Sequence, residues 1–357
     1  MEQVDSVKEI QSLWGEWVME DDLGEGSVGK VRRIRRDTPD GPRYAALKEI
    51  VISDGAGNYK HARAQGMDAA CIKYYFRSVL EETLQEIRMM QELSECENIV
   101  CCEGYLVYEI DGEGRIVRER SSAEDQAGGW MVLIRMELLR PLMDQMTEQL
   151  MQPADICRLG IDLCTALEAC EKAQIVHRDL KPDNIFWKEE TNTYKLGDFG
   201  FAHYLQRPTE EKGRAGTLTH MSPEIYAGGP ASTAGDLYAL GMILYRLLND
   251  NRIPFLEPYP ALFTPRERDH AMLRRLRGEN PPLPVIAACA EDPSCHASNL
   301  GVTFSEQQRK AVEELAHIAQ KAIQADPEKR FQSPQEMKQA LLEVQILGIS
   351  EREKWKI

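Results

Sequence analysis

The sequence predicts an α+β chain in two parts, a smaller strand-rich part followed by a larger helical one. Three observations carry this. Strands with one helix fill the first third, the periodicity turns helical after "RMELLRPL", and the later segments open on helix-start signals. "WVMEDDLGEG" and "SVGKVRRIRR" flank a glycine loop, the turn "TPDG" follows, and "RYAALKEIVI" makes a third strand. No helix opens directly after the glycines, so the strands form an antiparallel meander. Ile72, Phe76, Val79, Leu80, Thr83, Ile87, Met90 and Leu93 then recur at helical spacing. Two more strands, near "YLVYEI" and "WMVLIRM", are joined by a polar loop containing "DGEG". Beyond a boundary near 139 to 141, Ile156, Leu159, Leu163, Leu167 and Cys170 share one face of a helix begun near Pro153. Ser305-x-x-Gln308 and Ser333-Pro334-x-Glu336 mark two later helix starts. The Gly-, Pro- and Ala-rich stretches 53–67 and 279–300 read as surface insertions. The expected division is an N-terminal extension (1–14), a strand-rich part (15–139), a helical part (140–345) and a C-terminal tail (346–357).

The bulk composition narrows the function. A formal net charge of -15 argues against general nucleic-acid binding, which needs clustered Lys and Arg. None of the nine cysteines forms a CxxC pair of zinc-like spacing, and Cys157 and Cys164 fall in an apolar helical pattern, so a reduced, cytoplasmic setting is expected. "MEQVDSVKEI" lacks the apolar core of a signal peptide. No apolar run approaches the roughly 18 residues of a membrane span.

Residues 23–31, "LGEGSVGKV", fit two phosphate-binding patterns at once. Gly24-x-Gly26-x-x-Gly29 suits a dinucleotide fingerprint or a glycine-rich cover over ATP, while Gly24 with Gly29-Lys30 almost spells a Walker A loop. Val31 stands where the Walker loop needs a metal-binding Ser or Thr.

The decisive stretches are "VHRDLKPDNIF" at 176–186 and "KLGDFG" from 195. They resemble the catalytic loop and the metal-binding motif of the eukaryotic-type (Hanks-type) serine/threonine protein kinases, in a manner similar to a bacterial subgroup. The resemblance runs from about residue 17 to about 345, in the family's order. Its chemistry can be stated from the residues. Phosphoryl transfer needs charge neutralisation on the triphosphate, in-line placement of a hydroxyl and an acceptor for its proton. Asp179 is the candidate base, Asn184 and Asp198 offer oxygens of the hard type that Mg²⁺ (or Mn²⁺) prefers, and Lys181 would steady the transferred group.

The resemblance implies a two-lobed fold, with a small antiparallel sheet and one key helix preceding a larger helical lobe. It implies ATP-dependent transfer to Ser and Thr hydroxyls of proteins, this chain included. Lys48 in "YAALK" would grip the α and β phosphates. Glu86 is its expected partner, because Ile87, Met90 and Leu93 set it beside the buried stripe; Glu81, Glu82 and Glu92 are competitors. Leu23, Gly24, Glu25, Gly26, Ser27, Val28 and Gly29 would form a lid over the phosphates, with Lys30 facing solvent. The adenine would bond the backbone of Glu137 and Leu139 at the join between the lobes, backed by Met136 and walled by Val31, Ala46 and Leu23. Thr217 would stand against the catalytic aspartate, Glu224 would pair with Arg330, and Asp236 would hold the catalytic loop's backbone.

Ser222 and His220 depart from the family's usual Ala and Tyr, which bears on the peptide groove. Between Glu210 and Ala215 no hydroxyl is available for an activating phosphate. Thr209 is the nearest candidate, and Glu210 or Glu211 would supply part of that charge to Arg178. The extra residues at 53–78 are a candidate contact for a regulatory partner or a dimer. The rival readings are a nucleotide-binding pseudokinase scaffold, a small-molecule kinase and a Walker-type NTPase. Relatives of this kind also occur as cytoplasmic domains of longer, membrane-anchored products.

Overall fold

Side-chain alternation decides the first sheet. β1 (Trp17–Gly26), β2 (Gly29–Thr38), β3 (Gly41–Ser53), β4 (Cys102–Ile110) and β5 (Gly129–Glu137) form an antiparallel sheet in the order β1-β2-β3-β5-β4. In β3, Ala45 and Leu47 point to one face, where with Ile34, Ile110, Met131 and Leu133 they build a buried cluster covered by Trp17, Met19, Leu106, Tyr108 and Ile116. Ala46, Lys48 and Ile50 point to the other face and pair in register with Met136, Ile134 and Val132 of β5. A one-residue slip would exchange the two sets, so the apolar pattern itself fixes the register.

The computed structural model describes residues 17–26, 29–53, 63–64, 66–111, 115–117, 129–148, 151–200, 202–204, 218–258, 261–284 and 306–347. They belong to two units. One comprises the chain up to Ser94 together with Val100–Leu139; the other comprises Glu95–Ile99 and everything from Arg140 onward.

In the first unit, α1 (Ala69–Glu92) follows β3. Asp68 caps it by accepting from the Cys71 N–H at 2.8 Å, and Ile72, Leu80, Ile87, Met89 and Met90 line its buried side. Residues 69–78 form the first turns of this helix, in line with the helical spacing that begins at Ile72. The remainder of 53–67 lies largely outside the described residues, as do 285–300.

The second unit opens with β6 (Arg140–Pro141), α2 (Leu142–Glu148) and α3 (Pro153–Lys172), whose Pro at the first position costs no hydrogen bond. Ile156, Leu159, Leu163, Leu167 and Cys170 are all sealed from solvent, each worth about 1.5–3 kcal/mol of burial if counted as a full apolar side chain. The short strands β7 (Ile175–Val176), β8 (Ile185–Lys188), β9 (Thr193–Leu196) and β10 (His203–Tyr204) follow, with a 3₁₀ turn at Pro182–Asn184. β6, β8 and β9 make one small sheet, and β7 pairs with β10.

After α4 (Pro223–Tyr226) comes α5 (Thr233–Leu248), apolar on almost every side because it is buried on almost every side. Its Gly241 permits close packing: a Cβ there would stand 2.5 Å from the Ala322 Cβ and 2.9 Å from the Ile323 Cγ2. The last helices are α6 (Pro265–Leu276), α7 (Glu306–Ala322) and α8 (Pro334–Ile346). At α8 the Ser333 hydroxyl accepts from the Glu336 N–H, but the Glu336 carboxylate accepts from Gln332, one residue before the cap, so the reciprocal half of the expected box is displaced. A full reciprocal box occurs at α6, between Thr264 and Glu267. Ser305 of the other expected box lies outside the described residues.

Candidate active site

The strand-rich unit presents a lysine, a carboxylate and a glycine turn. Lys48 on β3 and Glu86 on α1 are brought together, with Nζ 3.5 Å from Oε1, and both are largely buried. Glu81, Glu82 and Glu92 are exposed. Val31 is the register partner of Lys48, and Ala46 that of Met136, so these four share one face of the sheet. Leu23 is 49 % exposed at the sheet's edge. Gly24 has open space where a Cβ would stand, but a Cβ on Gly29 would lie 2.1 Å from the Glu49 carbonyl oxygen, so only glycine fits there. Gly26 is the register partner of Gly29 across the turn. Ser27 and Val28 lie outside the described residues, and of Glu25 only the backbone register is described. Lys30 departs from expectation: it is half-buried, and its ladder partners are Glu25 and Glu49. Glu137 donates its N–H to the Cys101 carbonyl at 3.2 Å, and its side chain accepts from the Cys101 N–H at 2.8 Å. Leu139 closes this unit.

The helical unit presents the carboxylates. Asp179 is buried, and its Oδ2 accepts from Lys181 Nζ at 2.7 Å and from Asn184 Nδ2 at 3.3 Å. Asn184 Nδ2 also donates to the Asp179 carbonyl at 2.8 Å. Both bonds from the Asn184 amide nitrogen are thus directed at Asp179, and Oδ1 is the side chain's acceptor atom. Gly197 donates its N–H to the Asn184 carbonyl, which ties the stretch carrying Asp198 to the catalytic loop. Asp198 has φ of 56° and Arg178 a φ of 71°, a left-handed backbone that costs non-glycine residues and is sustained only by surrounding structure.

Part of that support is visible. Asp236, in the first turn of α5, accepts from the His177 N–H at 2.8 Å with one oxygen and from the Arg178 N–H at 2.9 Å with the other. Burial pushes the Asp236 carboxyl up, against the pull of His177 and Arg178. His177 Nε2 stands 3.1 Å from the Gly197 carbonyl, which fixes the proton on that nitrogen, and the ring meets Phe199 edge-on at 4.9 Å. Glu224 receives two hydrogen bonds of 2.7 Å from Arg330, whose side chain is fully buried. Burial alone would push Glu224 up, but the Arg330 bonds and charge hold it below the usual carboxylate range. Thr209, Thr217, Glu210 and Glu211 lie outside the described residues.

Sequence reasoning missed two residues. Arg246 of α5 and Arg275 of α6 reach the stretch 218–221 that follows Thr217, and no motif signalled them.

The protein kinase domain profile matches residues 17–342. The chain is 30 % identical over 210 residues to a probable serine/threonine-protein kinase, PknB, of Corynebacterium glutamicum, covering 54 % of this chain and 32 % of that protein. It is 28 % identical over 201 residues to the serine/threonine-protein kinase PknB of Mycobacterium leprae, covering 56 % of this chain and 27 % of that one. It is 27 % identical over 227 residues to the membrane-associated tyrosine- and threonine-specific cdc2-inhibitory kinase of Drosophila melanogaster, covering 63 % and 34 %. The matched stretches span about a third or less of these relatives.

Proposed function

The chain belongs to the protein kinase family, and on that premise we propose that it transfers the γ-phosphoryl group of ATP to serine and threonine hydroxyls of proteins, itself included. The observation that carries the reading is the buried Asp179 carboxylate, held by Lys181 and Asn184 at the end of a loop that Asp236 fixes by two backbone bonds. A buried carboxylate fixed in this way is suited to orient an acceptor hydroxyl and take its proton.

The residues present fit ATP with Mg²⁺ or Mn²⁺. Asn184 offers Oδ1, Asp198 a carboxylate, and the divalent ion when bound would neutralise the triphosphate. Lys48, oriented by Glu86, would place a cation against the α and β phosphates. Leu23 through Gly29 would cover the phosphates, with backbone N–H groups as donors. Glu137 already spends its N–H on Cys101, so its carbonyl is the group it would offer the adenine, beside the Leu139 N–H; Met136, Val31 and Ala46 would line the base. Lys181, already against Asp179, would carry charge from the incoming phosphoryl group. Thr217 would stand against Asp179, as in serine/threonine kinases, and Thr209, Glu210 and Glu211 would bear on Arg178.

Among the described residues no helix is long and apolar enough to cross a membrane. Seven unbridged cysteines among them support a reducing, cytoplasmic setting. The exposed Tyr74 and Tyr75 on the first turns of α1 support the 53–78 stretch as a regulatory or dimer contact. The pseudokinase alternative has no residue behind it, since Lys48, Asp179, Asn184 and Asp198 are all in place.

Incubation with ATP labelled at the γ-phosphate, Mg²⁺ and a generic basic protein tests the reading. Label should reach the acceptor with the parent and not with Asp198→Asn. Transfer that survives in both Asp179→Asn and Asp198→Asn overturns the assignment.

A further inference from the structure

Two arginines of the helical unit carry their charge into the protein with no carboxylate on either guanidinium among the described residues. Arg275 of α6 is 2 % exposed. Its Nη1 donates to the Met221 carbonyl at 2.6 Å and to the Tyr238 hydroxyl at 2.8 Å, and its Nη2 donates to the Leu218 carbonyl at 2.6 Å. Its Nε has no partner among the described residues. Arg246 of α5 is only partly buried; its Nε donates to the Asn251 carbonyl at 3.3 Å and its Nη1 to His220 Nε2 at 3.1 Å. Every one of these acceptors is neutral. Buried charge left unpaired is costly, and a surface that leaves it so is prepared for an anion from outside.

His220 shows how one-sided the local field is. An arginine can only donate, so His220 Nε2 is the acceptor and the ring proton sits on Nδ1, 3.1 Å from the Thr219 hydroxyl. Burial first, then Arg246, Arg275 and Lys181, hold the imidazole well below its ordinary titration range, so it stays neutral. Arg246 is itself lowered by burial and then by Arg268, with the exposed Asp183 the carboxylate that opposes them. Lys181, which acts on His220, bonds Asp179 at 2.7 Å. The cationic ground therefore adjoins the proposed base and underlies residues 218–221.

We propose that Arg246, seated on His220, is a specificity-determining residue that binds an acidic side chain of the peptide substrate beside the acceptor hydroxyl, with Arg275 holding the 218–221 backbone in place. This rests on the kinase reading and names the substrate class for it: Ser or Thr flanked by Asp or Glu. Arg246 is the contact because the residue is only partly buried, whereas Arg275 is sealed and acts through the carbonyls it clamps.

The test compares synthetic peptides of one acceptor flanked by Glu, by Ala or by Arg. With the parent, kcat/KM should be roughly tenfold or more higher for the Glu-flanked peptide than for the Arg-flanked one, mostly through KM, and the ratio should shrink with added salt. Arg246→Gln should bring the ratio toward one, Arg246→Glu should invert it, and Arg246→Lys should keep its sign. Equal or basic preference in the parent overturns the proposal without any variant, as does a ratio that Arg246→Gln and Arg246→Glu both leave unchanged. Anisotropy of the same peptides, fluorescein-labelled, separates the two levels. Selective binding of the acidic peptide without label transfer overturns the kinase reading alone. Label transfer with no acidic preference overturns the subsite alone.

Discussion

Asp162 of α3 offers a measurement that isolates one half-buried charge. Its carboxylate accepts from the Tyr194 N–H at 2.8 Å. Burial pushes it up from 3.8 to about 6, ahead of the opposing pull of that bond, of Arg158 and of Asn98. At about 1.4 kcal/mol per pH unit, this is worth about 3 kcal/mol. The sign follows from proton counting. Between pH 3.8 and 6 the folded state holds the proton that the unfolded chain has released, so stability falls as pH rises through this window and levels off above it. Asp162→Asn keeps an oxygen for the Tyr194 N–H and cannot ionise. Urea unfolding followed by far-ultraviolet circular dichroism, at constant ionic strength from pH 4 to 7.5, should show the variant more stable by about 3 kcal/mol at pH 7. That gap should close toward pH 4, while titrations elsewhere cancel in the difference. A pH-independent gap, or a variant less stable than the parent at pH 7, would refute the assignment of the cost to desolvation of this carboxyl.

Three further outcomes follow from the same structure. Gly241→Ala should destabilise by about 1–3 kcal/mol in the same unfolding assay, because the new methyl meets Ala322 and Ile323 well inside contact distance. In Asp236→Asn one of the two backbone N–H groups now faces an amide instead of an oxygen; the variant should lose about 1–3 kcal/mol and show reduced kcat at unchanged KM for ATP, read by steady-state phosphotransfer. Gly29→Ala should raise KM for ATP and loosen the β2–β3 pairing, visible as faster amide exchange at Lys30 and Glu49, since its Cβ cannot clear the Glu49 carbonyl.

Some of this was legible because the chemistry is contiguous. Asp179, Lys181 and Asn184 lie within six residues, so the loop that gathers them is written in one stretch, and Asp198 follows in another. The helical pattern around Ile87 and Met90 was enough to place Glu86 on the buried side of α1. Arg246 and Arg275 left no such trace. Each sits in the last turn of a helix, where a basic residue is the ordinary complement to the dipole, and nothing in the local pattern distinguishes that use from a clamp on a distant backbone.

By itself, then, the sequence determined the alternation that makes the five-stranded sheet, the helix starts at Pro153 and Ser333, and the identity of the groups that could carry phosphoryl transfer. Those are local matters of period, capping and functional-group chemistry. Tertiary structure alone decided that Lys30 is half-buried, that Asp162 is desolvated, and that two guanidiniums converge on residues 218–221. Burial and charge pairing depend on which distant segments pack together, and a contact between residues 26 or 57 positions apart has no local signature from which to read it.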